Sequence, residues 1–237
     1  MRILALVPAR GGSKRLPGKN IRLFGGRPLV VWSIQAAAGL PGICDVLLST
    51  DSAEIADVAR AAGALVPWLR PADLATDLAT SVDVAVHALD WYEREHEPVD
   101  GMLLLQPTSP LRSREAVARA CDLFSRMGGR SVVAVCPARS HPMLCYRLDG
   151  TVLVPFISGI AEKVRTQDFP AAFQLCGALY LVAPATLRSE RSILGSDPVP
   201  LVLESDVESV DIDTNADWVM AEALLNLSVE RKKATSP

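Results

Sequence analysis

An α/β fold is what this sequence predicts, a mostly parallel twisted sheet flanked by helices and carrying one small inserted segment. Three observations predict it. Short apolar runs without polar alternation, such as Ile3-Leu4-Ala5-Leu6-Val7 and Met102-Leu103-Leu104-Leu105, suit strands buried on both faces. Segments of helical period lie between such runs. The two kinds alternate along the chain, and strand, helix, strand succession builds a parallel sheet whose ligands sit at the carboxyl ends of the strands.

The first strand, 3–7, ends at Pro8, which removes a ladder donor. Beyond a glycine-rich loop, Ile21 to Phe24 is a short extended piece, Gly25-Gly26 a turn, and Pro28 opens a helix over 28–39. Residues 45–51 form a second strand, and a helix over 53–62 follows, capped by Asp51 or Ser52. Ala64 to Trp68 gives a further short strand, and the polar stretch 70–77 leads to a helix over 81–96. A strand at 102–105, a helix over 113–127 and a strand at 131–136 continue the rhythm. It breaks at 138–175, where Pro142, Pro155 and a hairpin across Asp149-Gly150 mark an insertion that leaves the sheet and offers a subunit contact. Strands at 178–182 and 201–203 and an amphipathic helix over 215–227, capped by Thr214, complete a single domain of residues 1–229. The polar tail 230–237 is expected to be flexible.

Charge and cysteine usage narrow the function. With 24 basic and 27 acidic residues in 237, the net charge of −3 argues against nucleic acid or a membrane surface as partner. Cysteines at 44, 121, 136, 145 and 176 include no Cys-x-x-Cys and no His at zinc spacing, which suits reduced thiols in a cytoplasmic protein. Pro8 and Arg10 break the first apolar run too early for a signal peptide or membrane span.

Three stretches carry the chemistry. The first is Val7 to Asn20, in which Arg10, Lys14, Arg15 and Lys19 surround Gly11, Gly12 and Gly18 after a buried strand. Glycine backbone can approach a ligand closely and the cations match phosphate oxygens, so the loop reads as a polyphosphate site. It is neither a P-loop nor a dinucleotide fingerprint, because the glycine spacing fits neither. The second is Gln106-Pro107-Thr108-Ser109-Pro110-Leu111-Arg112 at the end of a buried strand, where two prolines fix the backbone that presents Gln106. It reads equally as a turn into the helix that Ser113 caps. In the third, Asp211 and Asp213 stand two apart and can aim two carboxylates at magnesium, although helix capping also explains an acid there.

The wording Ala9-Arg10-Gly11-Gly12-Ser13-Lys14-Arg15-Leu16-Pro17-Gly18-Lys19-Asn20 resembles, residue for residue, the signature loop of the acylneuraminate cytidylyltransferases, the CMP-sialic acid synthetases. Gln106 to Arg112, Asp211 to Thr214 and the stretch from Arg70 to Ser81 match the same family in the same order. The resemblance implies a nucleotide-diphospho-sugar transferase-like fold and a magnesium-dependent transfer from CTP to a sugar acid, giving a CMP-sugar and pyrophosphate. It implies nucleotide binding by Pro8, Ala9, Arg10, Gly11, Gly12, Ser13, Lys19, Asn20, Ala79, Thr80 and Ser81, and metal binding by Asp211 and Asp213. Catalytic roles fall to Arg10, Lys14, Lys19, Gln106 and Arg165, and sugar contacts to Gln106, Arg165, Gln167, Gln174, Cys176 and Tyr180. It further implies a homodimer built through 138–175.

The sugar side departs from the family pattern at Leu144, Gln174 and Cys176, where the sialic acid enzymes carry Lys, Arg and Asn. These departures leave Arg165 as the matched cation for the sugar carboxylate and favour a 5,7-diamino nonulosonate over N-acetylneuraminate. Transfer to pseudaminic or eight-carbon sugar acids, and a nucleotide-binding homologue without catalysis, stay open as alternatives.

Overall fold

The computed structural model describes residues 1–157, 165–203 and 205–235. In chain order, β1 (Ile3–Pro8) leads through a two-residue ribbon, β2 (Leu23–Phe24) and β3 (Arg27–Pro28), to α1 (Leu29–Ala37). Next come β4 (Ile43–Ser49), α2 (Ala53–Ala61), α3 (Ser81–Glu95), β5 (Gly101–Leu104), α4 (Arg114–Arg126) and β6 (Val132–Pro137). A hairpin of β7 (Tyr146–Asp149) and β8 (Val152–Pro155) precedes β9 (Phe173–Val182), α5 (Pro184–Ser189), β10 (Val199–Val202) and α6 (Asn215–Thr235).

Six strands form the main sheet in the order β10-β6-β9-β5-β1-β4. The pairs β1 with β4, β1 with β5, and β10 with β6 are parallel, while β9 runs antiparallel between β5 and β6. Side-chain alternation divides each strand between two cores. Ile3, Ala5 and Val7 of β1 pack with α1, α2 and α4, whereas Leu4 and Leu6 pack with Ala85, Ala88, Leu89 and Tyr92 of α3. A third, smaller cluster joins Leu16, Phe24 and Leu29 to Val210, Ile212, Trp218 and Ala221, fastening the glycine-rich loop to the segment that carries Asp211 and Asp213.

The expected strand at 64–68 does not form. Leu65 makes one bridge to Leu47 and the ladder stops, because Pro67 has no N–H to continue it. The strand expected at 178–182 starts at Phe173, inside the stretch assigned to the insertion. Between Val133↔Tyr180 and Val135↔Leu175, residues 176–179 bulge from β9, since only Ala134 lies opposite them on β6. Ser52 Oγ caps α2 by accepting from Ile55 N–H at 3.4 Å, which leaves Asp51 free for another role. The hairpin across Asp149-Gly150 forms as expected, with Gly150 at φ +60°. Helix α6 continues to Thr235, past the expected end at 227. Residues 158–164 of the insertion and 236–237 of the tail lie outside the described residues. No helix among the described residues is long and apolar enough to cross a membrane.

Candidate active site

At the carboxyl end of β1, two adjoining clefts of about 300 and 410 Å³ share Pro8, Arg10, Pro107 and Thr108, and each is of a size that holds small molecules. Ser13, Lys14, Arg15, Lys19, Asn20 and Asp213 line one; Arg70, Asp77, Ala79, Thr80, Ser81 and Gln106 line the other. Topology accounts for the meeting. Parallel β1 and β5 end side by side, so the loops beginning at Pro8 and Gln106 face each other.

The glycine-rich loop is held from beneath. Buried Lys19 directs Nζ to Ile212 O at 2.8 Å and Asp213 Oδ1 at 3.2 Å, and Asn20 Nδ2 donates to Arg10 O at 2.9 Å. Ala9 faces the core, its N–H donating to Ser49 O at 2.9 Å, so its backbone and not its methyl belongs to the site. Gly11 N–H donates to Asp51 Oδ1 at 2.8 Å, which takes this amide out of ligand binding. Ser13 N–H donates to Gly11 O at 3.0 Å, whereas Gly12 has open space where a Cβ would lie. Besides Lys19 and Arg70, three cations line the clefts. Arg10 Nη1 and Lys14 Nζ donate to the two oxygens of Asp77 at 2.7 and 2.5 Å, and Arg15 Nη1 meets Asp213 Oδ2 at 3.3 Å. Lys14 first and then Arg10 hold the Asp77 carboxyl below the usual carboxylate range.

On the second cleft, Thr80 and Asp83 form a reciprocal capping box at the start of α3, which fixes Ala79, Thr80 and Ser81 along one wall. Arg70 closes the wall, its guanidinium donating to Ser49 Oγ at 2.9 Å and Ser49 O at 2.6 Å. Burial lowers the Arg70 pKa, against the opposing pull of Asp51.

Gln106 lines this cleft over Gly177, where an added Cβ would stand 2.2 Å from Oε1. Beneath lies Arg112, wholly buried, donating to Ala178 O at 2.5 Å, to Ser33 Oγ at 2.7 Å and to Gln106 O. Burial lowers its pKa to about 9, and Asp211 opposes the shift, so the guanidinium stays charged at neutral pH. Arg112 thus ties the end of β5 to the bulge of β9. Nothing in the sequence marked Arg112 as a buried cation; Arg70 and Asp77 stood inside the 70–81 stretch that the family resemblance placed over the nucleotide, without individual roles.

The other residues expected on the sugar side are placed differently. Cys176 is buried on the bulge beside Cys136, and burial pushes its thiol up to about 11, so it stays protonated. Tyr180 packs in the α3 core, its hydroxyl raised by burial and by Cys176 and Asp211 nearby. Gln174 accepts from Arg139 N–H at 3.3 Å, and Arg165 pairs with Asp168 at 2.8 Å. Gln167 lies exposed in the short 3-10 turn Thr166–Asp168. Within this chain Arg165, Gln167 and Gln174 line neither cleft.

Asp211 and Asp213 flank Ile212, which is fully buried and donates its N–H to Thr108 O at 2.7 Å. Thr214 and Asp217 cap α6 reciprocally, and Asp213 N–H also donates to Asp217 Oδ2 at 3.1 Å, which leaves the carboxylates of Asp211 and Asp213 outside the cap. Carboxylate oxygens are the donors magnesium takes; Asp213 lines the cleft of the glycine-rich loop, whereas Asp211 lines neither cleft. Among the described residues no group of three or more His, Cys, Asp or Glu could hold a metal, so substrate phosphates would have to complete the shell.

Comparison with known proteins agrees with this geometry. CMP-N,N'-diacetyllegionaminic acid synthase of Legionella pneumophila is 40% identical over 97% of this chain and 99% of its own length. Pseudaminic acid cytidylyltransferase of Campylobacter jejuni is 30% identical over 97% and 99%. Among solved structures, CMP:2-keto-3-deoxy-manno-octonic acid synthetase complexed with CTP superposes with a TM-score of 0.70 at 16% identity, over 96% of this chain and all of that one, which is a likeness of fold. Since the cytidylyltransferase family model matches residues 4–124 as well, the stretch that spans the glycine-rich loop, the second cleft and Gln106, the chain belongs to the cytidylyltransferase family.

Proposed function

We propose that the protein transfers the cytidylyl group of CTP to a nonulosonic acid, a nine-carbon 2-keto sugar acid, for cell-surface glycan synthesis. The anomeric oxygen bonds to the α-phosphorus, the bond from that phosphorus to the α–β bridging oxygen breaks, pyrophosphate leaves, and the hydroxyl proton passes to solvent. One observation carries the reading: Arg10, Lys14, Arg15, Lys19 and Asn20 line a cleft that adjoins the one bordered by Gln106. Such transfer needs positioning and charge neutralisation rather than a covalent intermediate. Arg10, Lys14 and Lys19 neutralise the phosphates, and Asp211 and Asp213 would hold magnesium, which would supply further positive charge for the transfer. The cytoplasm is the proposed setting, and the five unpaired cysteines suit it.

Among sugars, a 5,7-diamino nonulosonate of the legionaminic type is the proposed substrate, supported by the Legionella relative and by the departures at 144, 174 and 176. In a competition assay reading pyrophosphate release from CTP, diacetyllegionaminic acid should be consumed ahead of N-acetylneuraminate. A clear win for N-acetylneuraminate would reverse this choice of sugar. No release with any nonulosonic or octulosonic acid would favour a binding protein without catalysis.

A homodimer built through the insertion is the proposed assembly. Leu148, Val152, Leu153, Phe173 and Leu175 on β7, β8 and the start of β9, with Phe156 just after β8, are exposed, an apolar surface that a second copy of the chain would cover. Arg165, off the clefts of its own chain, could then serve the partner's. Light scattering at micromolar concentration should give the mass of a dimer, and a monomer would count against this assembly.

A further inference from the structure

The Asp77 side chain bridges two cations of the glycine-rich loop. Both of its oxygens are taken, one by Arg10 Nη1 at 2.7 Å and the other by Lys14 Nζ at 2.5 Å. Among the described residues these are the hydrogen bonds that link the 71–79 segment to any other part of the chain; its remaining bonds, Leu74 N–H to Pro71 O, Thr76 Oγ1 to Asp73 O and Ala79 N–H to Thr76 Oγ1, are internal. A carboxylate bridging two cations imitates a phosphate with two anionic oxygens.

The geometry points to Asp77 as a positioning residue that holds Arg10 and Lys14 ready for the polyphosphate and is displaced when it arrives. The inference rests on the glycine-rich loop being a polyphosphate site. Arg10 and Lys14 keep further N–H donors, but a phosphate that takes them meets the Asp77 charge beside it, and this repulsion favours release of the Asp77 pairs. They can be broken readily, because the Asp77 side chain is 51% exposed and exposed pairs are weak and screened by salt. Breaking them also frees 71–79 from the loop, so phosphate binding is coupled to the wall of the neighbouring cleft. Because Asp77 competes with the ligand, its charge should weaken equilibrium affinity while keeping the two cations aimed. A residue that merely supported the fold would do the reverse, since its loss would weaken binding.

The test is calorimetric titration of the full chain with inorganic pyrophosphate, which carries no base or sugar. Asp77→Asn should bind pyrophosphate about 3- to 10-fold more tightly than wild type, the scale of one or two exposed ion pairs. The gap should close as salt rises, and Asp77→Glu, which keeps the charge, should stay near wild type. In turnover, Asp77→Asn should lower the KM for CTP without raising kcat. Equal or weaker pyrophosphate affinity in Asp77→Asn would overturn the inference. Wild type that binds neither pyrophosphate nor CTP would overturn the phosphate reading itself, and this inference with it.

Discussion

Replacing Asp213 by alanine will slow pyrophosphate release by about 10²-fold or more, because a charge clamp on transferring phosphate is worth several kcal/mol. The structure gives this side chain two duties. It is one of the two carboxylates proposed for magnesium, and it pairs with Lys19 Nζ at 3.2 Å and Arg15 Nη1 at 3.3 Å. Lys19 is the more sensitive partner, since its side chain is only 9% exposed and would keep Ile212 O alone as an acceptor. CTP affinity should change less than turnover, because Arg10, Lys14 and Asn20 remain. The measurement is turnover against magnesium concentration for wild type and variant. An unshifted magnesium curve would take Asp213 out of the metal site.

Alanine at Gly177 should lower turnover of the sugar by about 10²-fold while the protein stays folded and binds CTP normally. A Cβ there would stand 2.2 Å from Gln106 Oε1 and 3.2 Å from Ser109 Oγ. The first contact is with the far end of a flexible side chain, so the clash is relieved by swinging the amide away rather than by moving backbone. Stability therefore changes little. The amide expected to meet the sugar is displaced, and misplacement by about 1 Å can cost about 10²-fold. Steady-state kinetics with the sugar varied, together with CTP titration and a melting curve, separates the two effects. Wild-type sugar kinetics in Gly177→Ala would remove Gln106 from the sugar site.

Much of this site was legible in the chain because it depends on local wording. Pro8 ends a buried strand, the glycines and cations follow at once, and the end of the neighbouring parallel strand delivers Gln106 opposite them. What was not legible depends on pairing between distant segments. Alternation along 174–180 assigns faces only in a regular strand, and the bulge at 176–179 breaks it, so Cys176 turns into the core beside Cys136. Pro67 stops a ladder that the apolar run 64–68 suggested. Arg112 looked like the polar end of a turn, and its burial arises only where the end of β5 meets the bulge of β9 over Ser33 of α1. Arg165 is placed by the insertion, where its pairing with Asp168 reflects contacts within one chain.

The antiparallel strand β9, set between β5 and β6, also governs the order in which the molecule can assemble. During synthesis β1, β4 and β5 can pair as soon as Leu104 has emerged, but the free edge of β5 must wait until residues 105–172 have followed before β9 covers it. Strand β6 waits likewise, since both its neighbours, β9 and β10, are made after it. Pairings this distant in sequence close slowly. For that interval the nascent chain carries two open apolar edges, Gly101–Leu104 and Val132–Pro137, and these are where misassociation between unfinished chains would begin.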